Sequence, residues 1–200
     1  NALQNGLISL LNDPKERNNK MAINELKVSS NQGNRYATFI LGLLYETGEV
    51  VKRSKNKAFK CYEKSAMQGN PSGIYKIGHC YQHNKGVKKD LTKALEYFER
   101  GIETSNAASL YKLGSLYYYG QGVEKNFSKA KEYFEKAAEL GYPSAFNFLG
   151  NLYLKAEGVT KDCAKAKEYF DKAAELFSPS SYTNLGIVYE NGVRVDYSIA

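Results

Sequence analysis

The chain has 200 residues, 42% hydrophobic and 24% charged, the balance of an ordinary globular protein. Its mean hydropathy of −0.53, with no apolar run near the roughly 20 residues a bilayer span needs, excludes a transmembrane reading, and 4 Pro, 17 Gly and 3 Cys exclude collagen, Pro-rich disorder and a disulfide scaffold. The net charge of +7 is unevenly spread: residues 1–100 hold 17 basic and 9 acidic side chains, residues 101–200 hold 11 and 12.

The chain opens at Asn1 with no basic-then-apolar leader, so no signal peptide is visible, and position 1 is not Met, which reads as a trimmed, processed or excerpted sequence. A 36-residue periodicity then runs through it. Leu41-Gly42, Ile77-Gly78, Leu113-Gly114, Leu149-Gly150 and Leu185-Gly186 keep that spacing, and Tyr45, Tyr81, Tyr117, Tyr153 and Tyr189 each follow the glycine by three residues. Lys57-Ala58, Lys93-Ala94, Lys129-Ala130 and Lys165-Ala166 share the phase, as do Cys61-Tyr62, Tyr97-Phe98, Tyr133-Phe134 and Tyr169-Phe170. Such self-similarity decides the architecture before any local reading.

In chain order, the phase predicts a degenerate first unit over about 1–34, with Gly6 in the glycine column after Asn5, then Ala22 and Gly33-Asn34. Units at 35–70, 71–106, 107–142 and 143–178 follow, with a truncated one at 179–200. Gly192-Val193 and Asp196 continue the pattern if the last inter-helix loop is two residues shorter, and a helix should begin at Ile199-Ala200. Each unit reads as two helices, A then B. Helix A of the second complete unit spans about Pro71 to His83, with apolar residues at 74, 77, 80 and 81, the spacing of a helix buried on one face. Pro71, Pro143 and Pro179 suit a first turn. Ser54, Asp90, Asn126, Asp162 and Asp196 suit the N-cap of helix B. Gly69 and Gly141 suit its left-handed terminus, whereas Ser105 and Phe177 replace glycine there, so those corners are expected to differ. The Gly and Ala columns are expected to form matching small faces between helices A and B, with Tyr and Leu filling the layer to the next unit.

The columns Leu-Gly-x-x-Tyr, Gly-Val, Asp-x-x-Lys-Ala, aromatic and Ala-Ala-x-x-Gly together resemble the Sel-one-like (Sel1-like) repeat, a branch of the tetratricopeptide-like solenoids. The match is fullest in Gly114-x-x-Tyr117, Gly120-Gln-Gly122-Val123, Lys129-Ala130, Tyr133-Phe134 and Ala137-Ala138-x-x-Gly141, while Val50 stands where a loop Gly is expected. The resemblance implies an all-α fold: a right-handed α-solenoid of 36-residue helix-turn-helix units forming one repeat domain over 1–200, used as an adaptor or scaffold. Proteins of this kind occur in endoplasmic-reticulum quality control, cell-wall synthase regulation, bacterial host interaction and as arms of larger signalling proteins. The repeat itself has no catalytic residues to carry over.

Candidate chemistry is sparse. Gly120-Gln-Gly122 follows a helix, not the strand a phosphate loop needs. His79 and His83 share a helix face at i, i+4, a metal-compatible spacing, but no further ligand is signalled, so no metal and no cofactor are expected. Cys61, Cys80 and Cys163 are unevenly spaced and read as reduced thiols, which points to the cytoplasm, with the endoplasmic-reticulum lumen as the alternative. The sequon at Asn126-Phe127-Ser128 is explained by the cap.

In tetratricopeptide-like solenoids helix A lines the concave side, so the resemblance places a partner groove on its non-core positions. These are Phe39, Leu43 and Glu46; Tyr75, His79, Gln82 and His83; Tyr111, Ser115, Tyr118 and Tyr119; and Asn147, Asn151 and Leu154. The expected function is a non-catalytic scaffold holding a protein or peptide. A regulatory arm of a larger enzyme, such as a kinase or ubiquitin-ligase complex, is the alternative. A further alternative is a phosphate or nucleic-acid binder using Lys52, Arg53, Lys55, Lys57, Lys85, Lys88 and Lys89, although the aromatic columns that could stack on bases are assigned to the core. Oligomeric state is left open.

Overall fold

The computed structural model describes residues 16–190. Gly6 and Asn5, Gly192-Val193, Asp196 and Ile199-Ala200 lie outside them. Ten helices and no strand occur among the described residues: α1 Glu16–Asn31, α2 Arg35–Thr47, α3 Lys55–Met67, α4 Pro71–His83, α5 Leu91–Ile102, α6 Ala107–Tyr119, α7 Phe127–Glu139, α8 Pro143–Lys155, α9 Cys163–Glu175 and α10 Pro179–Glu190. They form two compact units, one ending at Asn106 and one beginning at Ala107. In the first, α1 packs on α2, α2 on α3, α3 on α4 and α4 on α5; in the second, α6 packs on α7, α7 on α8, α8 on α9 and α9 on α10. This sequential packing of helical hairpins, none able to bury its own apolar face, is the solenoid principle.

Each A-to-B hairpin is fixed by local chemistry. The side chains of Ser54, Asp90, Asn126 and Asp162 accept from the backbone N–H groups of Lys57, Lys93, Lys129 and Lys165, three residues on, satisfying an orphan donor of the first turn. The backbone N–H of each of those caps donates to the carbonyl of the column tyrosine, Tyr45, Tyr81, Tyr117 or Tyr153. Those tyrosines close their own hairpin: Tyr81 stacks on Tyr97, Tyr117 on Tyr133 and Tyr153 on Tyr169, with centroids 5.7–5.9 Å apart, and Tyr81 also meets Phe59 of the preceding repeat edge-on at 5.6 Å. Lys57, Lys93, Lys129 and Lys165 lie over the same four tyrosine rings at 4.5–5.5 Å, a cation–π contact. The Lys of the Lys-Ala column therefore has a structural task that the sequence pattern alone leaves unexplained.

The glycine column differs from the expected Gly-to-Ala match. A Cβ at Gly42, Gly78, Gly114 or Gly150 would stand 2.5–2.7 Å from ring carbon Cε1 of Tyr62, Phe98, Phe134 or Phe170. These rings, twenty residues on in helix B, are fully buried. Helix A thus gives up a side chain to seat an aromatic ring of its own repeat. At Gly186 none of the described residues lies within 4 Å.

The B-to-A corners are more uniform than the sequence predicts. Ser105 and Phe177 adopt φ of 50° and 57°, beside 76° and 74° at Gly69 and Gly141. All four corners share the same two reverse bonds, as in Gly69 N–H to Ala66 O and Asn70 N–H to Ser65 O, or Phe177 N–H to Ala174 O and Ser178 N–H to Ala173 O. These satisfy two orphan helix carbonyls per corner, against about 1–2 kcal/mol for the left-handed side chain.

Candidate functional site

On the A helices of the first unit, Phe39 and Leu43 are half-buried, Phe39 with its ring 5.6 Å from that of Tyr62. Glu46 is engaged inside the fold: its carboxylate accepts from the Tyr62 hydroxyl at 2.6 Å, Lys76 Nζ at 2.7 Å and Lys85 Nζ at 3.2 Å. Burial pushes this carboxyl up, but the bonds from Lys76, Tyr62 and Lys85 outweigh it and hold the pKa at about 2, below the ordinary 4.5. A carboxylate held below its unfolded value adds stability that is complete above pH 4.5 and is lost as pH falls toward 2. Glu46→Gln is accordingly expected to cost about 2 kcal/mol at neutral pH, and urea unfolding should show that difference shrinking on acidification. A difference unchanged from pH 7 to pH 2.5 would contradict it.

Further along that unit, Tyr75 is half-buried against Phe98, and the His79 and His83 rings stand 4.4 Å apart. Gln82 is buried and His83 exposed. Among the described residues no group of three or more His, Cys, Asp or Glu side chains is arranged to hold a metal. Burial, helped by the Glu46 charge, pushes the Cys80 thiol up to about 11, and burial raises that of Cys61. Both therefore stay protonated near neutrality, when the thiolate is the nucleophilic form.

In the second unit Tyr111 is half-buried among Phe134, Tyr142 and Phe148. Tyr118 is only 7% exposed; its ring meets Phe127, Phe134 and Phe148, and its hydroxyl donates to Glu157. Ser115 is buried and donates to the Tyr111 carbonyl at 2.9 Å. Asn147 is buried, donating to the Ser178 and Ser180 hydroxyls and accepting from Asn184. Asn151 and Leu154 are half-buried. Tyr119 is 57% exposed, its ring edge-on to Tyr118 at 4.8 Å and Phe148 at 6.2 Å. So Gln82, Ser115, Tyr118 and Asn147 are interior residues, and Tyr119 and His83 are the most open of the predicted set. Of the basic residues, Lys52, Arg53, Lys55, Lys57, Lys88 and Lys89 are exposed and Lys85 is half-buried.

One further feature lies away from both the helix A positions and the basic corner residues. An open groove of about 610 Å³ lies in the second unit, with Phe146 and Leu149 of α8 among its walls and Glu135, Glu139, Tyr169, Lys172 and Leu176 around it. Its walls come from two successive B helices, residues that periodicity assigns to core or solvent individually; only their packing on α8 leaves space between them.

The family model of the Sel1 repeat matches residues 35–70, 71–103, 107–142, 143–176 and 179–200. No curated protein gives a significant match. Among solved structures, a protective antigen of uropathogenic Escherichia coli displaying an SLR fold superposes with a TM-score of 0.86 at 27% identity, covering 96% of this chain and 41% of that one. The present chain therefore spans under half of that protein. A Sel1 repeat protein from Oxalobacter formigenes gives a TM-score of 0.76 at 28% identity, over 86% of this chain and 76% of that one. Helicobacter pylori cysteine rich protein B shares the fold, with a TM-score of 0.54 at 23% identity over 65% of this chain and 96% of that one. No described helix is long and apolar enough to cross a membrane.

Proposed function

The chain belongs to the Sel1 repeat family, and from that premise we propose that it is a non-catalytic scaffold gripping a protein segment on the faces its A helices present within each unit. Sel1 repeats generally serve as protein-interaction scaffolds and generally form a non-catalytic fold. In the first unit the accessible positions are Phe39, Leu43, Tyr75, His79 and His83; in the second they are Tyr111, Tyr119, Asn151 and Leu154. Glu46, Gln82, Ser115, Tyr118 and Asn147 act beneath that surface and hold it in shape.

Tyr119 carries this reading. More than half of its surface is open, yet its ring is braced edge-on by Tyr118 and Phe148. A large aromatic held before contact loses little entropy on binding, which is why such residues dominate interface energetics. A photo-crosslinking side chain at position 119, in the chain expressed in its native extract, is expected to capture a protein identifiable by mass spectrometry. Tyr119→Ala and His83→Ala are expected to weaken that partner about thirtyfold with helicity unchanged. Undiminished binding by both folded variants would refute the helix A faces.

A further inference from the structure

The stretch from Lys52 to Lys93 carries eleven cationic side chains against Glu63 and Asp90. The fold engages part of this charge. Lys76 and Lys85 pair with Glu46, Lys57 and Lys93 lie over Tyr45 and Tyr81, and Arg53 Nε donates to the Glu46 carbonyl at 3.1 Å.

What the fold adds is a junction. Two A-to-B corners of the first unit, residues 48–54 and 84–90, are 36 residues apart in sequence, but Gly86 presses on the start of α3. A side chain there would collide with the Lys55 carbonyl and come within 3.0 Å of the Asn56 nitrogen. Arg53, Lys55 and Lys85 consequently line one cavity of about 60 Å³ together with Glu46. Arg53 from one corner, Lys55 at the start of α3 and Lys85 from the other corner are thus brought together, and Lys52, Lys88 and Lys89 are exposed on the same two corners. The acids in these corners are Glu49, exposed, and Asp90, which caps α5; Glu46 is already shared between two lysines. The corresponding corners of the second unit carry no cationic excess, with Glu124 beside Lys125 and Glu157 and Asp162 beside Lys161.

We propose that this joined corner is a second docking surface, separate from the helix A faces, and that it takes an acidic polypeptide segment rich in Asp and Glu. Charge complementarity selects an anionic occupant, and the neighbouring side chains select a polypeptide. Nucleic-acid surfaces of this kind offer open aromatic rings to the bases, whereas here Tyr45 and Tyr81 are covered by lysines and Tyr62 is fully buried. An element that inserts into a membrane surface presents open apolar side chains, whereas Val50, Val51 and Val87 are partly buried against the core clusters.

The test is fluorescence anisotropy on the full chain with a labelled Asp/Glu peptide of about ten residues, about 33 Å when extended, beside its Asn/Gln counterpart and a single-stranded oligodeoxynucleotide of equal charge. The acidic peptide is expected to bind, to weaken as salt rises, and to exceed both comparators. Lys55→Gln/Lys88→Gln/Lys89→Gln is expected to raise its dissociation constant about tenfold, and Lys125→Gln/Lys161→Gln to leave it unchanged. Circular dichroism checks the fold, and Lys52→Gln/Lys89→Gln serves if the triple variant unfolds. Absence of peptide binding at low salt, insensitivity to the corner variants, equal loss in the second-unit control, or tighter binding of the oligonucleotide would each overturn the proposal. Tyr119→Ala should not alter this binding, so failure here and failure of the helix A reading are separate results.

Discussion

Phe134→Ala is expected to cost about 3–5 kcal/mol, the scale for emptying a fully buried aromatic site. The ring has no exposed surface. It lies under Gly114 and touches Tyr111, Tyr118 and Phe148 at centroid distances of 5.9, 6.5 and 4.8 Å. The backbone of α6 at Gly114 has no side chain with which to fill the void, so the cavity remains. Urea unfolding with a probe in the second unit measures the loss. A comparable truncation at Tyr182, which is 63% exposed, should fall within about 0.5 kcal/mol. A cost below about 1 kcal/mol at Phe134 would mean that the ring-on-glycine contact does not hold the hairpin together.

Gly114→Ala and Gly186→Ala are expected to change stability in opposite directions. Both residues lie within helices, where alanine is intrinsically better by about 1 kcal/mol. At Gly114 the new methyl would stand 2.6 Å from Phe134 Cε1, and the fully buried ring has no room to retreat. Overpacking of that kind costs about 1–3 kcal/mol, which exceeds the propensity gain, so the variant should be less stable by about 1 kcal/mol or more. At Gly186 none of the described residues lies within 4 Å, and the gain should appear undiminished. The same sign at both positions, read from thermal and urea unfolding, would remove the ring from the explanation of the column.

The helix boundaries and caps were legible because they are local. A Pro at the first turn and an Asp, Asn or Ser one residue before a helix act within four residues of themselves, and α4 spans Pro71–His83 as its spacing predicts. Ser105 and Phe177 were misjudged for the converse reason. Glycine preference reports intrinsic backbone cost, whereas the corner is enforced by two reverse hydrogen bonds indifferent to the side chain. The candidate site was legible only in part. Helical phase placed Tyr119 outward, but it could not show that Tyr118 is drawn inward by Phe127 and Phe148 and bonded to Glu157. Nor could it show that Glu46 would be engaged by Tyr62 and two lysines.

The sequence by itself determined the repeat, its two-helix unit and the family, because a 36-residue recurrence of Gly, Tyr, Lys-Ala and aromatic columns encodes one hairpin four times over. Only the tertiary structure decided what each column is for. The glycines seat rings from helix B, the lysines cover tyrosines, and Gly86 of one corner presses on the start of the helix that follows the other, bringing Arg53, Lys55 and Lys85 around one cavity. The physical reason is range: caps and periodicity act within a turn or two of helix, while these contacts join residues 12 to 31 positions apart whose meeting depends on how the hairpins stack.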